Sequence, residues 1–486
     1  MRARSSRAAR LNEPIAPLFA RVFSCARACT DVVALVRARE QVEGERDAQS
    51  GSPRAPKRRV SFDNAKKMLQ TGKNNWQSLR ERTASTVIMI GSVIGILSLG
   101  HAYCIVLIFG VANAMVKELF TFVANTHGEE LATENEALRR TTMTLRWHLY
   151  WTAQFALYGR FAKYLWLGFF SAEDWNELLT EGTENPHNVV AWLAMHHSFL
   201  SFCAYIGGVV YFVLTLRKGK YAYQFSQFAW THMILFVAIM MEYFNMANLM
   251  EGLIWFIFPL LLVIVNDIMA YIFGKMYGRT PLIKISPNKT WEGFLGAAAA
   301  TIGCAPVCAY YMQKLRYLTC PPSGPVYFRG VFHHGTWCEV AEPFIMADRP
   351  LSKLLGSVAG PILTRITGIV SVRCSMFMLH ALALGTFASA IAPFGGFFAS
   401  GFKRAFKIKD FAETIPGHGG ITDRMDCHVM NSCFSHLYLS NFVQHVGGAY
   451  ALGMMLTKIE LVSDEHIVEL YKAIKRMVAT RGIPID

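Results

Sequence analysis

Apolar runs of about 20 residues recur along the chain, and they constrain its fold more than any other feature. Residues 253–273 read LIWFIFPLLLVIVNDIMAYIF, and residues 189–216 form another long apolar stretch. A helix of that length crosses the hydrocarbon core of a bilayer with every backbone polar group paired inside the segment. Only 17% of the 486 residues are charged, whereas soluble domains contain about 25%. The sequence therefore predicts an all-α, polytopic integral membrane protein.

The apolar segments predict about eight to nine transmembrane helices within a membrane-embedded domain at residues 83–456. Besides the two runs above, the candidate spans are residues 85–100, 102–116, 228–244, 294–312, 379–399 and 434–456. Segment 294–312 is rich in Gly and Ala. Small residues let helix backbones approach closely, so we expect this span to pack tightly against another.

Segment 149–170 has two interpretations. It includes Arg160 and Lys163, and by itself it is typical of an amphipathic helix at the membrane interface. The positive-inside rule favours a crossing instead, because the basic N-terminus, the cluster RKGK at 217–220 and the loop from Lys275 to Lys289 all prefer the cytosol. We favour the crossing, which places the loop at 314–353 in the lumen.

The two ends of the chain differ in character from the apolar middle. Residues 1–82 contain 18 Lys or Arg and 8 Asp or Glu, and they predict a disordered basic cytosolic tail. Attraction to an anionic membrane face explains this charge more simply than nucleic acid does, because the tail ends where the first apolar run begins. Residues 457–486 predict a short amphipathic helix and tail.

The eleven cysteines show neither a CxxC motif nor a zinc-like spacing. Most lie in apolar surroundings and are expected to be small buried hydrophobic residues. Cys320 and Cys338 flank a polar loop. They could pair in a disulfide if that loop is lumenal, because the lumen is oxidising.

A dense charged stretch, KRAFKIKDFAETIPGHGGITDRMD, lies at residues 403–426 between two apolar segments. Asp423 and Asp426 are three residues apart and would share one helix face. Mg²⁺ is typically held by one or two carboxylates and by substrate phosphates. The glycine-rich PGHGG offers backbone N–H groups to anions, and the lysines and Arg404 offer cations to phosphates. This combination is typical of phosphoryl or nucleotidyl transfer.

A second polar region supports that prediction. Residues 266–293 read NDIMAYIFGKMYGRTPLIKISPNKTWEG. Asp267 lies near the end of an apolar run, where a carboxylate is costly and is by default functional. SPNKTWEG predicts a helix start, with Ser286 as the N-cap and Pro287 in the first turn. Lys289 would then lie beside a helix N-terminus, which already favours anions.

These two regions resemble the phosphatidate cytidylyltransferase family, also called CDP-diacylglycerol synthase, in its eukaryotic endoplasmic-reticulum form. The resemblance spans roughly residues 75–460, and it is strongest at 254–296 and 378–428. It implies an integral-membrane, all-helical nucleotidyltransferase. Its substrates would be CTP and phosphatidic acid, and its products CDP-diacylglycerol, for phosphatidylinositol and other phospholipid synthesis, and pyrophosphate.

The resemblance also implies a set of site residues. Catalytic roles fall on Asp426, Asp423, Lys403, Arg404, Lys409 and Asp410. Substrate-binding roles fall on Ser400, Lys289, Ser286, Asn288, Thr290, His418, Gly419, Gly420 and Arg424. The expected metal ligands are Asp426, Asp423 and Asp267. The expected cofactor is Mg²⁺, and a second cation is left open. A homodimer in the endoplasmic-reticulum membrane is expected, with no nucleic acid as a partner.

The chain departs from the family pattern at one position. Bacterial relatives have Gly-Asp a few residues before the signature Ser, with that Asp serving the metal, whereas this chain has Gly395-Gly396. Either Asp267 or Asp410 could replace the missing carboxylate.

Three other functions compete with this interpretation. A CDP-alcohol phosphotransferase would need a DGxxAR-type motif, which the sequence lacks. A transporter or channel would use Asp267 along a pathway, but the sequence shows no repeat symmetry. A non-catalytic scaffold would not need the acids and glycines of the charged stretch.

Overall fold

The computed structural model describes residues 88–89, 91–126, 136–169, 189–321, 330, 338, 340–415, 419–443 and 464–481. The predicted tail at 1–82 and the predicted site residue His418 lie outside these residues. The longer helices are α1 (His101–Thr126), α2 (Glu136–Phe169), α3 (Val189–Leu214), α4 (Tyr221–Met250), α5 (Leu253–Tyr277) and α6 (Trp291–Met312). They are followed by α7 (Arg316–Thr319), α8 (Leu351–Thr367), α9 (Met376–Ala390), α10 (Pro393–Ala405), α11 (Thr422–Tyr438) and α12 (Asp464–Arg481). Short 3₁₀ and π segments lie at Glu342–Phe344 and Leu439–Val443.

Six helical stretches in the described part of the chain are long and apolar enough to cross a membrane. They are His101–Ala124, Trp192–Leu214, Tyr221–Met250, Leu253–Tyr277, Trp291–Met312 and Met376–Ala405. The protein is therefore an all-α polytopic membrane protein, as the apolar runs predict. Segment 149–170 lies within the long helix α2 apart from its last residue, and α2 is not among the six. The candidate span at 434–456 is described only to residue 443, so the total of eight to nine spans stays a prediction.

The predicted span at 379–399 is broken rather than continuous. Helix α9 ends at Ala390, and α10 begins at Pro393. Proline is favoured at the first helical position, where its missing N–H has no intrahelical partner to lose. The interruption at residues 391–392 lies within the single apolar stretch Met376–Ala405, whose last residues, 400–405, lead into the charged stretch.

The core of the bundle forms where α5, α6, α9 and α11 pack on one another. Phe258 of α5 and Phe377 of α9 are fully buried, with ring centroids 5.1 Å apart. Helices α6 and α9 approach so closely that a Cβ added at Gly385 would lie 3.0 Å from the Cβ of Ala305. This contact confirms the predicted close packing of 294–312, because small residues drive helix association within membranes.

The sequence SPNKT is a strand rather than the predicted start of a helix. Strand β1 (Pro281–Ile283) pairs antiparallel with β2 (Ser286–Thr290). The N-cap of α6 is Thr290, whose Oγ1 accepts a hydrogen bond from the N–H of Gly293 at 3.2 Å. The prediction that Ser286 is the cap is therefore wrong.

The hairpin is held at its base, which is why the helix cannot begin earlier. The backbone N–H of Trp291 donates to the carbonyl of Thr280 at 3.0 Å. The carboxylate of Glu292 accepts the N–H of Arg279 at 3.0 Å and the hydroxyl of Thr280 at 2.6 Å. These contacts fix the chain before β1 against the first turn of α6, so residues 281–290 must close as a hairpin.

A second small sheet and a disulfide lie between α6 and α9. Strand β3 (Ala347–Pro350) pairs antiparallel with β4 (Ser371–Cys374), and α8 connects the two strands. Cys320 and Cys338 form a disulfide, which confirms the predicted pairing. Disulfides persist in oxidising compartments, so this pairing agrees with a lumenal position for the loop at 314–353.

Candidate active site

The C-terminal end of α10 presents the first basic residues of the site. Lys403 and Arg404 occupy its last turn. The helix closes with two backbone hydrogen bonds, from Ile408 N–H to the carbonyl of Lys403 at 3.0 Å and from Lys407 N–H to that of Arg404 at 3.2 Å. This pairing is a Schellman motif, and it requires a left-handed residue that is usually glycine. Lys407 fills that position with φ 57°.

Asp423 joins the end of α10 to the start of α11. Its Oδ1 accepts from Nζ of Lys403 at 2.6 Å. Its Oδ2 accepts the backbone N–H of Phe411 at 3.0 Å and that of Gly420 at 3.1 Å. The side chain is only 6% exposed. Asp423 therefore holds the loop at 411–420 in place, and its predicted role as a metal ligand stays a prediction.

Glu118 is a site residue that the sequence reasoning missed. It lies on α1, is 6% exposed, and accepts the N–H of Ile421 and the N–H of Thr422, each at 2.9 Å. It also accepts the hydroxyl of Thr414. A carboxylate is favoured here because the N-terminus of α11 has unpaired donors and a positive dipole end. The available signal was an acid near the end of an apolar helix, which is by default functional.

Two glycines of the charged stretch are required by this packing. A Cβ at Gly420 would lie 2.8 Å from Oε2 of Glu118 and 3.1 Å from Oδ2 of Asp423. Gly419 has φ +82°, and a Cβ there would lie 3.3 Å from Cγ of Asp410. Asp410 therefore lies against the glycine turn. Gly419 and Gly420 fit the loop between the two carboxylates that hold it.

Asp426 faces the position where the family pattern places the missing acid. A Cβ added at Gly396 would lie 3.4 Å from Oδ2 of Asp426, and one at Gly395 would lie 2.5 Å from its backbone carbonyl. The two glycines thus allow α10 to lie directly against α11. Oδ1 of Asp426 accepts the N–H of Cys427 at 2.7 Å.

Asp267 of α5 belongs to the same electrostatic group. Its carboxylate interacts with the charges of Lys289 and Arg424, and Asp426 interacts with Lys403 and with Asp267 itself. Asp267 is exposed in the structure although it lies on a spanning helix. Of the two candidates for the missing carboxylate, Asp267 is therefore the one that interacts electrostatically with Asp426.

Lys289 brings the two polar regions together. Its Nζ lies 5.8 Å from the ring centroid of Phe397 on α10. The preceding turn also contacts α10, because a Cβ at Gly401 would lie 3.6 Å from Cδ1 of Ile285. The hairpin β1–β2 therefore lies beside the helix that leads into the charged stretch, over 100 residues later in the chain.

The remaining predicted residues differ in their exposure. Arg404, Lys409 and Asn288 are exposed, and Ser400 and Ser286 are half-buried. Thr290 is committed to capping α6, which makes it a structural residue of the hairpin. Arg424 is exposed on the first turn of α11, on the same helix as Asp426.

The donor set fits a divalent cation that also binds substrate phosphates. Within the described residues, no three His, Cys, Asp or Glu side chains are arranged to hold a metal by themselves. Burial raises the pKa of Asp426 above its usual range, and the negative charge of Asp267 raises it further. The hydrogen bond from the N–H of Cys427 and the positive charge of Lys403 lower the pKa and partly oppose this shift. A desolvated carboxylate beside a second one favours a cation, and Mg²⁺ commonly takes only one or two carboxylates.

Comparison with known proteins gives the family. The sequence profile of the cytidylyltransferase family matches residues 80–442. The chain belongs to the cytidylyltransferase family. It is 40% identical over 398 residues to phosphatidate cytidylyltransferase 1 of Arabidopsis thaliana, covering 82% of this chain and 87% of the relative.

Two further relatives come from distant organisms. The chain is 35% identical over 419 residues to phosphatidate cytidylyltransferase 1 of Homo sapiens, covering 86% of this chain and 83% of the relative. It is 37% identical over 403 residues to phosphatidate cytidylyltransferase of Saccharomyces cerevisiae, covering 83% of this chain and 81% of the relative. Membership of the cytidylyltransferase family removes the grounds for the transporter and scaffold interpretations.

Proposed function

We propose that this cytidylyltransferase transfers the cytidylyl group of CTP to phosphatidic acid, giving CDP-diacylglycerol and pyrophosphate. One observation carries the proposal: the two polar regions come together in space. Asp267 and Asp426 interact electrostatically, and Nζ of Lys289 lies 5.8 Å from the ring centroid of Phe397 on α10. The relatives' names supply the two substrates. The site lies at the ends of spanning helices, where a lipid headgroup can meet a soluble nucleotide while the acyl chains stay in the bilayer.

The reaction needs positioning and charge neutralisation more than it needs a base. A phosphate oxygen of phosphatidic acid attacks the α-phosphorus of CTP, and pyrophosphate leaves. A phosphomonoester has a second pKa of about 6, so the attacking group is already ionised at neutral pH. The obstacle is repulsion between the two anions, which Lys289, Arg404 and Lys409 would reduce by binding phosphate oxygens.

The loop at 411–420 contributes by its fixed shape. Glu118 and Asp423 take up the N–H groups of Phe411, Gly420, Ile421 and Thr422. Because these groups are already bonded, residues 411 and 420–422 are held before substrate arrives, and their ordering does not have to occur on binding. Lys403 is fixed by Asp423 and would direct its charge toward Asp426, with which it interacts electrostatically.

Mg²⁺ is the cofactor we propose, held by Asp426 and Asp267 together with substrate phosphates. When bound, the ion would neutralise phosphate charge and stabilise the leaving pyrophosphate. A second cation would need Asp423, and Asp423 would first have to exchange its contact with Lys403. Asp426 and Asp267 therefore form the preferred metal pair of this proposal.

We further propose that the enzyme is a homodimer in the endoplasmic-reticulum membrane, with its site on the cytosolic face. The basic segments near the site support this orientation through the positive-inside rule. The disulfide Cys320–Cys338 also supports this orientation, because disulfides persist in the oxidising lumen and the loop that carries it would then lie on the face opposite the site. Helix α3 packs mainly on α2 and leaves most of its spanning face uncovered, and that face is available for a second copy.

The test uses purified protein in detergent with phosphatidic acid, Mg²⁺ and radiolabelled CTP. Label should enter the organic phase with wild type and should be lost in Asp426→Asn. The matched control is Asp348→Asn, an exposed aspartate on β3, and we expect it to retain activity. Near-normal turnover by Asp426→Asn at saturating Mg²⁺ would refute the metal assignment. No label with folded wild type would refute the reaction.

A further inference from the structure

The segment 340–374, which we call the platform, lies at the opposite end of α1 from the candidate active site. The hydroxyl of Tyr317, next to the disulfide, donates to the carbonyl of Leu97 just before α1. Glu118, near the other end of α1, contacts the site loop. Residues 101–118 rise about 26 Å at 1.5 Å per residue. That distance is close to the thickness of a hydrocarbon core, about 30 Å.

The platform is attached to this end of the bundle. Phe344 packs on Trp255 and on Phe377, with centroid distances of 6.0 and 5.2 Å. These two partners lie in the first turns of α5 and α9. Strand β4 ends at Cys374 and α9 begins at Met376, so the chain passes from the platform into a membrane span almost at once.

Residues 362–372 of the platform expose an apolar patch. Ile366 is 75% exposed and Val370 is 67% exposed. The full patch, which we call the aliphatic patch, consists of Ile362, Leu363, Ile366, Ile369, Val370 and Val372. All six lie outside the spanning helices, within eleven residues of sequence. Soluble surfaces rarely leave such a concentration of large aliphatic side chains in water, so the patch indicates a partner.

The local geometry gathers these side chains on one side. Ile362 and Ile366 are four positions apart in the last turns of α8, and Leu363 and Ile366 are three apart. The three side chains therefore share a face of the helix. Gly368, with φ 71°, ends the helix and donates its N–H to the carbonyl of Thr364 at 2.8 Å. The chain then passes through Ile369 and Val370 into β4, so the exposed aliphatic residues continue along the chain from the helix to the strand.

Position and charge identify the kind of partner. Val370 lies six residues before the span at Met376, so this end of the patch lies at most about 21 Å from the start of that span along an extended chain. Arg365 and Arg373 are exposed beside the aliphatic side chains. Aliphatic groups flanked by arginine are typical of elements that lie in the membrane interface, where the guanidinium reaches the headgroup phosphates.

We propose that the aliphatic patch inserts into the leaflet opposite the active site, so that α8 is an interfacial membrane anchor for the platform. The proposal does not depend on the reaction that the enzyme catalyses. The anchor would fix the start of α9, and α9 leads directly into α10 of the site.

The experiment places a photoreactive residue in the patch of the full-length protein. The variant Ile366→p-benzoylphenylalanine is reconstituted in nanodiscs of radiolabelled phosphatidylcholine and irradiated. Val370 provides a second site in the same patch. Phe236, which is 67% exposed on spanning helix α4, is the lipid-facing control. Glu136, exposed at the start of α2 with its carboxylate on Arg140, is the water-facing control.

The expected result is a labelled lipid adduct at residues 366 and 370, at a yield near that of residue 236 and well above that of residue 136. A covalent dimer in place of the lipid adduct would overturn the proposal, because a second copy would then cover the patch. Yields at both patch positions equal to that of residue 136 would also overturn it, because the patch would then face water. Size-exclusion chromatography of each variant confirms that the protein remains folded.

Discussion

Replacing Glu118 by glutamine tests whether the loop at 411–420 has to be held from α1. Glutamine keeps the size of the side chain but offers one acceptor oxygen and one NH₂ group. The Glu118 carboxylate receives the hydroxyl of Thr414 and the N–H of Ile421 on Oε1, and the N–H of Thr422 on Oε2. Either orientation of the amide therefore turns a donor toward a donor.

The expected loss of activity in Glu118→Gln follows from these contacts. Losing one charge-assisted hydrogen bond costs roughly 1.5–3 kcal/mol, and losing the charge at the N-terminus of α11 costs about 0.3–1 kcal/mol. If turnover requires the loop in this conformation, a loss of roughly 2–4 kcal/mol lowers kcat by about 30-fold to nearly 1,000-fold. The fold should survive, because α11 is also held where Asn431 donates to the carbonyl of Pro259 at 2.7 Å.

The assay compares kcat and the thermal unfolding temperature of Glu118→Gln with those of Glu136→Gln. Glu136 is exposed and contacts Arg140 at 2.5 Å, and a pair of that kind contributes only about 0.3–0.5 kcal/mol. We expect the control to match wild type in both measurements. If Glu118→Gln retains kcat within about threefold of wild type, the loop does not depend on this carboxylate, and the reasoning is refuted.

Three further changes test the packing and charge of the site. Gly395→Ala should strongly reduce folded yield on size-exclusion chromatography, because its Cβ would lie 2.5 Å from the carbonyl of Asp426, whereas Gly110→Ala has open space and should behave as wild type. Equal yields would contradict the close approach of α10 and α11. Lys407→Gly should stabilise the protein by about 1 kcal/mol, because a left-handed φ strains any residue with a Cβ, and a lower unfolding temperature would contradict this. Asp267→Asn should raise the Mg²⁺ concentration needed for half-maximal activity, and an unchanged Mg²⁺ dependence would exclude it as a ligand.

The spans and the polar regions could be predicted from sequence because their signals are local. An apolar run such as 253–273 must be a buried or spanning helix whatever its neighbours are. The order of charges and glycines in 403–426 likewise restricts the chemistry before any contact is known. The disulfide between Cys320 and Cys338 could be predicted only on the condition that the loop is lumenal, since the side of the membrane decides whether two thiols are oxidised.

The contacts that decide the site are not local, and sequence reasoning missed them. Glu118 lies almost 300 residues before Thr414 in the chain, so no spacing rule connects them. Ser286 fits an N-cap by type, but β1 pairs with its segment and moves the cap to Thr290. Helix-start signals describe a segment alone, and here pairing with another strand overrides them.

Glu118 and Asp423 differ from Asp426 and Asp267 in the groups that surround their carboxylates. Glu118 and Asp423 together accept backbone N–H groups from a loop at the membrane margin. Where water is scarce, unsatisfied backbone groups are costly, so such a loop persists only if side chains supply the acceptors. Asp426 and Asp267 interact electrostatically with each other and with cations, and we propose that they meet a metal ion and phosphates. Under this proposal, two carboxylates hold the loop and two face the substrates, which would explain why so many charges occur together between apolar segments.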